Sequence, residues 1–167
     1  MTKQVAKTPD ATKEVRVNER KWSKPLMDAG WTAFPSVIIE RQKAIGLDAL
    51  DVNIILHLAS YWWTKDNKPH PSKTTIANAI GVHPRTVQRR IAKMERDGLI
   101  HRQERRVKGK GSRTNLYHFD GLIEAAKPFA KEKIAARKKR EKTARETAGR
   151  KGRPKLTVVP GTGESED

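Results

Sequence analysis

Residues 74–100, TTIANAIGVHPRTVQRRIAKMERDGLI, restrict the fold more than any other stretch, because two helical repeats abut there across a short turn. Ser72 offers an N-cap for KTTIANAI, in which Ile76, Ala77 and Ile80 fall on one stripe. Gly81 stops that helix, Val82 and His83 make the turn, and Pro84 stands where a first helical residue belongs. Val87, Ile91 and Met94 then recur at steps of four and three. Gly98 closes this run, so that Leu99 and Ile100 can pack back on the core. If Val87, Ile91 and Met94 mark the buried side, Arg85, Arg89, Ala92, Lys93 and Arg96 fall within about 60° of the opposite pole. Thr86 and Gln88 lie on the flanks. One pattern thus buries one side of the helix and turns three arginines and a lysine outward.

The rest of the chain supplies a scaffold for this pair. Residues 1–21 are polar, charged and aperiodic, which predicts a disordered arm. From Trp22 the character changes, and GWTAFPSVIIERQKAIG offers Trp31, Phe34, Val37, Ile38, Ile39 and Ile45 for burial, with a short helix from Ser36 to Ile45 stopped at Gly46. Asp48 is a plausible N-cap for LDALDVNIILHLASYWW, with Asp51 well placed for the helix dipole. Leu50, Ile54, Ile55, Leu58 and Trp62 recur there at helical spacing, which predicts the spine of the core. TKDNKPHP breaks it. Beyond the arginine-rich helix, LIHRQERRV and TNLYHF are strand-like runs joined by KGKGSR, a connection suited to a hairpin. Asp120 caps a further helix that Pro128 breaks or restarts, and the basic continuation has little apolar face beyond Phe129 and Ile134. The expected organisation is a disordered arm over 1–21, one domain over 22–126, a basic helix over 127–148 and a flexible tail over 149–167.

Charge narrows the partners. The net charge of +17 points to a polyanion. Residues 28–82 carry five basic and five acidic groups, whereas residues 83–113 carry eleven and three, and residues 127–155 thirteen and three. A neutral block followed by two basic ones reads as a scaffold with two polyanion-facing surfaces. The absence of cysteine excludes disulfides, a cysteine-based zinc finger and a thiol nucleophile. The N-terminus has no apolar core of a signal peptide, and VNIILHLASYWW is too short and too polar to span a bilayer. The expectation is a soluble cytoplasmic protein, nucleoid-associated, with no membrane partner.

Helix, tight turn, helix and basic hairpin follow in the order of a winged helix-turn-helix, so the fold class expected is mainly α with a small β-hairpin wing. FPSVII and SKTTIANAIGVHPRTVQRRIAKMERDGLI resemble, over about residues 31–119, the winged helix-turn-helix DNA-binding domains of bacterial, plasmid and phage regulators and replication initiators. The resemblance implies a binder of double-stranded DNA with residues 84–97 in the major groove. His83 departs from it, since a small capping residue such as serine is usual at that position. A major groove admits a helix, arginine can bond guanine bidentately and glutamine can pair with adenine. Arg85, Thr86, Gln88 and Arg89 would therefore reach bases or flanking phosphates, and Lys93 and Arg96 phosphates. In the hairpin, Arg105, Arg106, Lys108, Lys110 and Arg113 would lie along a phosphate backbone or in the minor groove. The GKGS within it lacks the spacing of a phosphate-binding P-loop. In the tail, Lys151, Gly152, Arg153, Pro154 and Lys155 resemble the core of an AT-hook, in which glycine allows close approach, proline holds an extended path and arginine is drawn into the narrow groove.

Other residue types add little chemistry. His57, His70, His83, His101 and His118 show no pair at metal-ligand spacing, so neither metal nor cofactor is expected. Trp22, Trp31, Trp62 and Trp63 could stack on bases, but their apolar neighbours favour the core or an oligomer contact. No Ser-His-Asp or paired-carboxylate set is placed for catalysis, which predicts a non-enzymatic protein without an evident small-molecule ligand. The leading expectation is a sequence-specific transcriptional regulator. Plasmid- or phage-type replication initiation at an origin and an architectural or RNA-binding role are the alternatives. A homodimer fits this class, with Trp62, Trp63 or the helix after Asp120 as candidate interfaces.

Overall fold

The computed structural model describes residues 9–107 and 111–149. In chain order it contains α1 (Pro9–Trp22), α2 (Lys24–Asp28), α3 (Ser36–Glu40), α4 (Gln42–Ile45), α5 (Ala49–Ser60), α6 (Lys73–Ile80), α7 (Pro84–Arg96), strands β1 (His101–Val107) and β2 (Gly111–His118), and α8 (Asp120–Gly149). The chain groups into two units, Met1–Phe129 and Ala130–Asp167. The first carries the core. The described part of the second is the remainder of α8, in which residues 131–148 are all exposed.

α5 begins where its own side chains can satisfy its first amides. The Asp48 carboxylate accepts from the Asp51 N–H at 2.9 Å, and the Asp51 carboxylate accepts from the Asp48 N–H at 3.2 Å, a complete capping box. Val52, Ile54, Ile55 and Leu58 are then buried on the helix, which packs on both α6 and α7. Ile76 and Ala77 of α6 and Val87, Ile91 and Met94 of α7 complete the cluster, joined by Leu99, Ile100, Tyr117, Phe119, Leu122 and Ala126.

The turn between α6 and α7 is fixed locally. Ser72 Oγ accepts from the Thr75 N–H at 2.9 Å and opens α6. Gly81, at φ 72°, adopts the left-handed conformation that a side chain disfavours, and the Val82 N–H closes back on the Ala77 carbonyl at 3.0 Å. The same closure recurs after α4, from the Leu47 N–H to Gln42, and after α7, from the Leu99 N–H to Met94. In each case the apolar residue that follows the glycine returns to the core. His83 opens α7 with its ring: Nδ1 accepts from the Arg85 N–H at 3.1 Å, so it fills the role usual for serine.

The hairpin is antiparallel, with His101 opposite His118 and Val107 opposite Gly111, and a one-residue bulge shifts the register between Gln103 and Arg105. Its base is tied down twice. The Tyr117 N–H donates to the Pro69 carbonyl at 2.9 Å, and the Leu122 N–H donates to the Leu99 carbonyl at 2.8 Å. At the second tie α8 starts so close to the end of α7 that a Cβ on Gly121 would lie 1.8 Å from the Gly98 carbonyl oxygen.

Several expectations are corrected. Residues 9–22 are helical where a disordered arm over 1–21 is expected, residues 1–8 of which lie outside the described residues; the segment is short of apolar residues, but it opens at proline, and lysine, glutamate and arginine, which are good helix formers, make up six of its fourteen residues. The helix from Ser36 to Ile45 is two helices, because Arg41 leaves the α region at φ −113°, ψ 18°. Ile38 alone of that stretch is buried, while Ile39 and Trp31 are exposed. α8 runs through Pro128 without a break. Proline removes one amide bond there, to the Glu124 carbonyl, and residue 124 is exposed, so water can take the free acceptor. β2 begins at Gly111, within the expected hairpin connection. Lys108, Lys110 and the AT-hook-like segment 151–155 lie outside the described residues.

Candidate nucleic-acid interface

The cations of α7 fall into two sets. Arg85, Gln88, Arg89 and Arg96 are exposed, and Thr86 is half-buried. Among the described residues no carboxylate pairs with Arg85, Arg89 or Arg96. Arg85, Gln88, Arg89 and Ala92 line one side of a groove of about 590 Å³ whose other side is Lys73 and Thr74 of α6. Lys73 Nζ donates to Gln88 Oε1 at 3.1 Å and bridges the two helices at its edge. Neither Lys73 nor Thr74 is evident from the periodicity of α7, because both belong to the preceding helix and become its neighbours only through the turn.

Arg90 and Lys93 are turned to another task. The Arg90 guanidinium donates to the Asp48 carboxylate and lies 3.7 Å from Asp51 Oδ1. Lys93 Nζ donates to Asp97 Oδ2 at 2.8 Å and to the Gly46 carbonyl at 3.1 Å, with Asp51 Oδ2 at 4.0 Å. These contacts clamp the middle of α7 to the start of α5. The capping pair responds in opposite directions. Burial pushes the Asp51 carboxyl above the usual range, against the hydrogen bond from Asp48 and the cations of Arg90 and Lys93. Burial also opposes ionisation of Asp48, but the Asp51 amide and Arg90 outweigh it and hold Asp48 below the usual range. The hydrogen bond to Asp97 holds the Lys93 ammonium above its ordinary value. Lys93, expected among the outward cations, therefore has its charge occupied within the domain.

On the opposite flank Glu95 receives the Arg102 side chain through Nε at 2.8 Å and through Nη2, and the Arg102 N–H at 3.2 Å. These bonds hold Glu95 below the usual carboxylate range and tie α7 to the first turn of the wing. On the wing, Arg105 and Arg113 are register partners, although like charges directly opposite destabilise a strand pair. Arg105 folds over the strand to donate to Thr114, to its carbonyl at 2.8 Å and to its Oγ1 at 3.0 Å. Arg106 lies on β1.

No helix among the described residues is long and apolar enough to cross a membrane. No group of histidine and carboxylate side chains among them is suited to hold a metal ion.

Comparison with known proteins follows this geometry. No curated protein sequence matches the chain significantly. A solved structure, the N-terminal domain of DnaD protein from Geobacillus kaustophilus HTA426, is similar over 71% of this chain and 96% of that one, at 16% identity and a TM-score of 0.49. Residues 46–100, from Gly46 through α5, α6 and α7 to Ile100, match the family model of a helix-turn-helix domain; α6, the turn at Gly81 and α7 have that architecture, and the β1–β2 hairpin follows them in the place of a wing.

Proposed function

We propose that this chain binds double-stranded DNA sequence-specifically and acts as a transcriptional regulator, with α7 in the major groove and the wing on the backbone or in the minor groove. One observation carries the reading: Arg85, Arg89 and Arg96 share an exposed side of a helix whose other cations are already paired. Exposed guanidinium groups without a carboxylate beside them gain most from a polyanion, and arginine at the first turns of such a helix can bond guanine O6 and N7. Gln88 and Thr86 flank these arginines and join them in base or sugar contacts, and Lys73 and Thr74 add a second side to the same groove. Arg96, farther along α7, contacts phosphate. On the wing, Arg105, Arg106, Lys108, Lys110 and Arg113 hold phosphate or enter the minor groove. The segment 151–155 adds a minor-groove arm.

Selection of bound sequences from random duplex DNA tests this proposal. Enrichment of a defined site, with that site mapped to promoters in the genome, supports it. Binding without enrichment refutes base reading, and enrichment of a site confined to a replication origin refutes the regulatory role.

A further inference from the structure

The groove between α6 and α7 holds an uneven set of hydrogen-bonding groups. Of the residues that line it, Lys73, Arg85 and Arg89 carry side-chain donors alone, and Pro84 and Ala92 carry no polar side-chain atom. Thr74 adds a hydroxyl, which serves either way. Oε1 of Gln88 is thus the one side-chain carbonyl in the lining of the groove, and it is already engaged. Lys73 Nζ stands 3.1 Å from it. An ammonium has no lone pair to offer, so the Gln88 amide must turn its oxygen to Lys73 and its amino hydrogens elsewhere. The arrangement is set by the fold. The Ser72 cap makes Lys73 the first residue of α6, half-buried and paired with no carboxylate among the described residues. The turn at Gly81 then brings exposed Gln88, fifteen positions later, beside it.

We infer that Lys73 is a positioning residue that decides which base Gln88 reads, directing it to guanine and against adenine. The inference rests on the reading of α7 as a major-groove helix and names what part of that helix recognises. Glutamine pairs with adenine through both ends of its amide, donating to N7 and accepting from the N6 amino group. Here the accepting end carries an ammonium. An adenine amino group that approaches it brings donor hydrogens toward a cation, in a groove where exclusion of water strengthens the repulsion. Guanine reverses the sign. It places O6 where adenine has the amino group and keeps N7 beside it, so both atoms accept. The Gln88 amino group donates to one, and the remaining N–H groups of Lys73 face the other. Arg85 and Arg89 continue the same donor surface along α7.

Selection of bound duplexes by the full chain and by its Gln88→Ala variant tests this, because the position at which Gln88 acts is the one whose preference collapses in the variant. Fluorescence anisotropy with two duplexes that differ only there, guanine against adenine, then gives a ratio of dissociation constants. The wild type is expected to favour guanine by roughly fivefold or more. Lys73→Met keeps the aliphatic arm and removes the charge, so the ratio moves toward adenine by a similar factor while affinity for both duplexes falls. Lys73→Arg still offers only donors and keeps the guanine preference. A loss that is merely structural weakens both duplexes alike and leaves the ratio unmoved. Three results overturn the inference while base reading by α7 stands: a base other than guanine at that position in the wild type, a selected site that Gln88→Ala does not change, or a Lys73→Met ratio equal to that of the wild type, as when Lys73 leaves Gln88 for a phosphate. Binding without any enriched site removes the underlying reading as well.

Discussion

Replacing Arg85 and Arg89 together by alanine, against Arg90→Ala alone, separates reading from holding on one helix. Arg85 and Arg89 are exposed and pair with no carboxylate among the described residues, so their loss breaks no ion pair of the folded domain. Surface changes of that kind stay within about 0.5 kcal/mol, so the thermal midpoint moves by only a few degrees. Binding responds strongly. A bidentate arginine–guanine contact discriminates by about 1–3 kcal/mol, which is roughly 5- to 150-fold per residue on the selected site. For each of the two that neutralises a phosphate instead, the slope of log K against log salt falls by about 0.9. Arg90→Ala reverses the pattern. Its guanidinium sits on Asp48 and is the nearest cation to Asp51 Oδ1, a buried oxygen that accepts no hydrogen bond. Its removal leaves that carboxylate with Lys93 at 4.0 Å, at a cost of about 1–3 kcal/mol and a drop in thermal midpoint of several degrees. Site preference, measured on the folded fraction, stays. The assay is a circular dichroism melt beside fluorescence anisotropy titrations at several salt concentrations. Unchanged affinity and slope in the double variant would falsify the assignment, as would a new base preference in Arg90→Ala at an unchanged midpoint.

Other perturbations test the frame around α7. Gly121→Ala forces a Cβ to within 1.8 Å of the Gly98 carbonyl oxygen, so α8 must shift; the expected loss is about 1–3 kcal/mol, read as a midpoint lower by at least roughly 4 °C. An unchanged melt would contradict that close approach. His83→Ala removes the α7 cap and costs about 0.5–2 kcal/mol, whereas His83→Ser retains an acceptor and most of the stability; equal losses in the two variants would show that the ring does not cap. Glu95 is held below its usual range by Arg102, so its folded carboxyl binds a proton less readily than its unfolded one. Its share of stability is present at neutral pH and is lost as pH falls through the folded value, so Glu95→Gln lowers the neutral midpoint and makes the acid limb shallower. An acid limb identical to the wild type would remove Glu95 from the linkage.

The boundaries of α5, α6 and α7 were legible because their signals are local. Asp48 with Asp51, Ser72, Gly81, Pro84 and Gly98 each act within five residues of themselves, and each is found at the helix end it predicts. The destination of a long charged side chain was not legible. Projection at helical spacing gives the direction in which Lys93 leaves α7, but its four-carbon arm swings back to Gly46 and Asp97. Arg90 falls between the buried stripe and the outward pole, and its partners lie 42 and 39 positions earlier, on an element that only folding brings near. The tryptophans misled for a related reason. Apolar neighbours around Trp31 and Trp63 favour the core or an oligomer contact, and the core is not where they lie: the chain has left α5 at Tyr61 before Trp63, and Trp31 follows Gly30 outside any helix or strand.

The acidic residues around α7 explain how a strongly basic helix can be both held and exposed. Asp48, Asp51 and Asp97 gather on one flank and engage Arg90 and Lys93; Glu95 lies on the other and engages Arg102. Each cation that fixes the helix is therefore neutralised within the domain, and the carboxylates doing so stand away from the pole that carries Arg85, Arg89 and Arg96. Were those carboxylates at the pole, they would pair with the arginines and repel phosphate. Were they absent, Arg90 and Lys93 would be free to compete for the same duplex and blur its register. The eleven cations of residues 83–113 thus overstate the charge available to a partner, since Arg90, Lys93 and Arg102 are already engaged. What remains for the proposed duplex contact is a short arginine row on a helix held by ion pairs along its flanks, and a pre-positioned side chain is what lets a base contact discriminate rather than adapt.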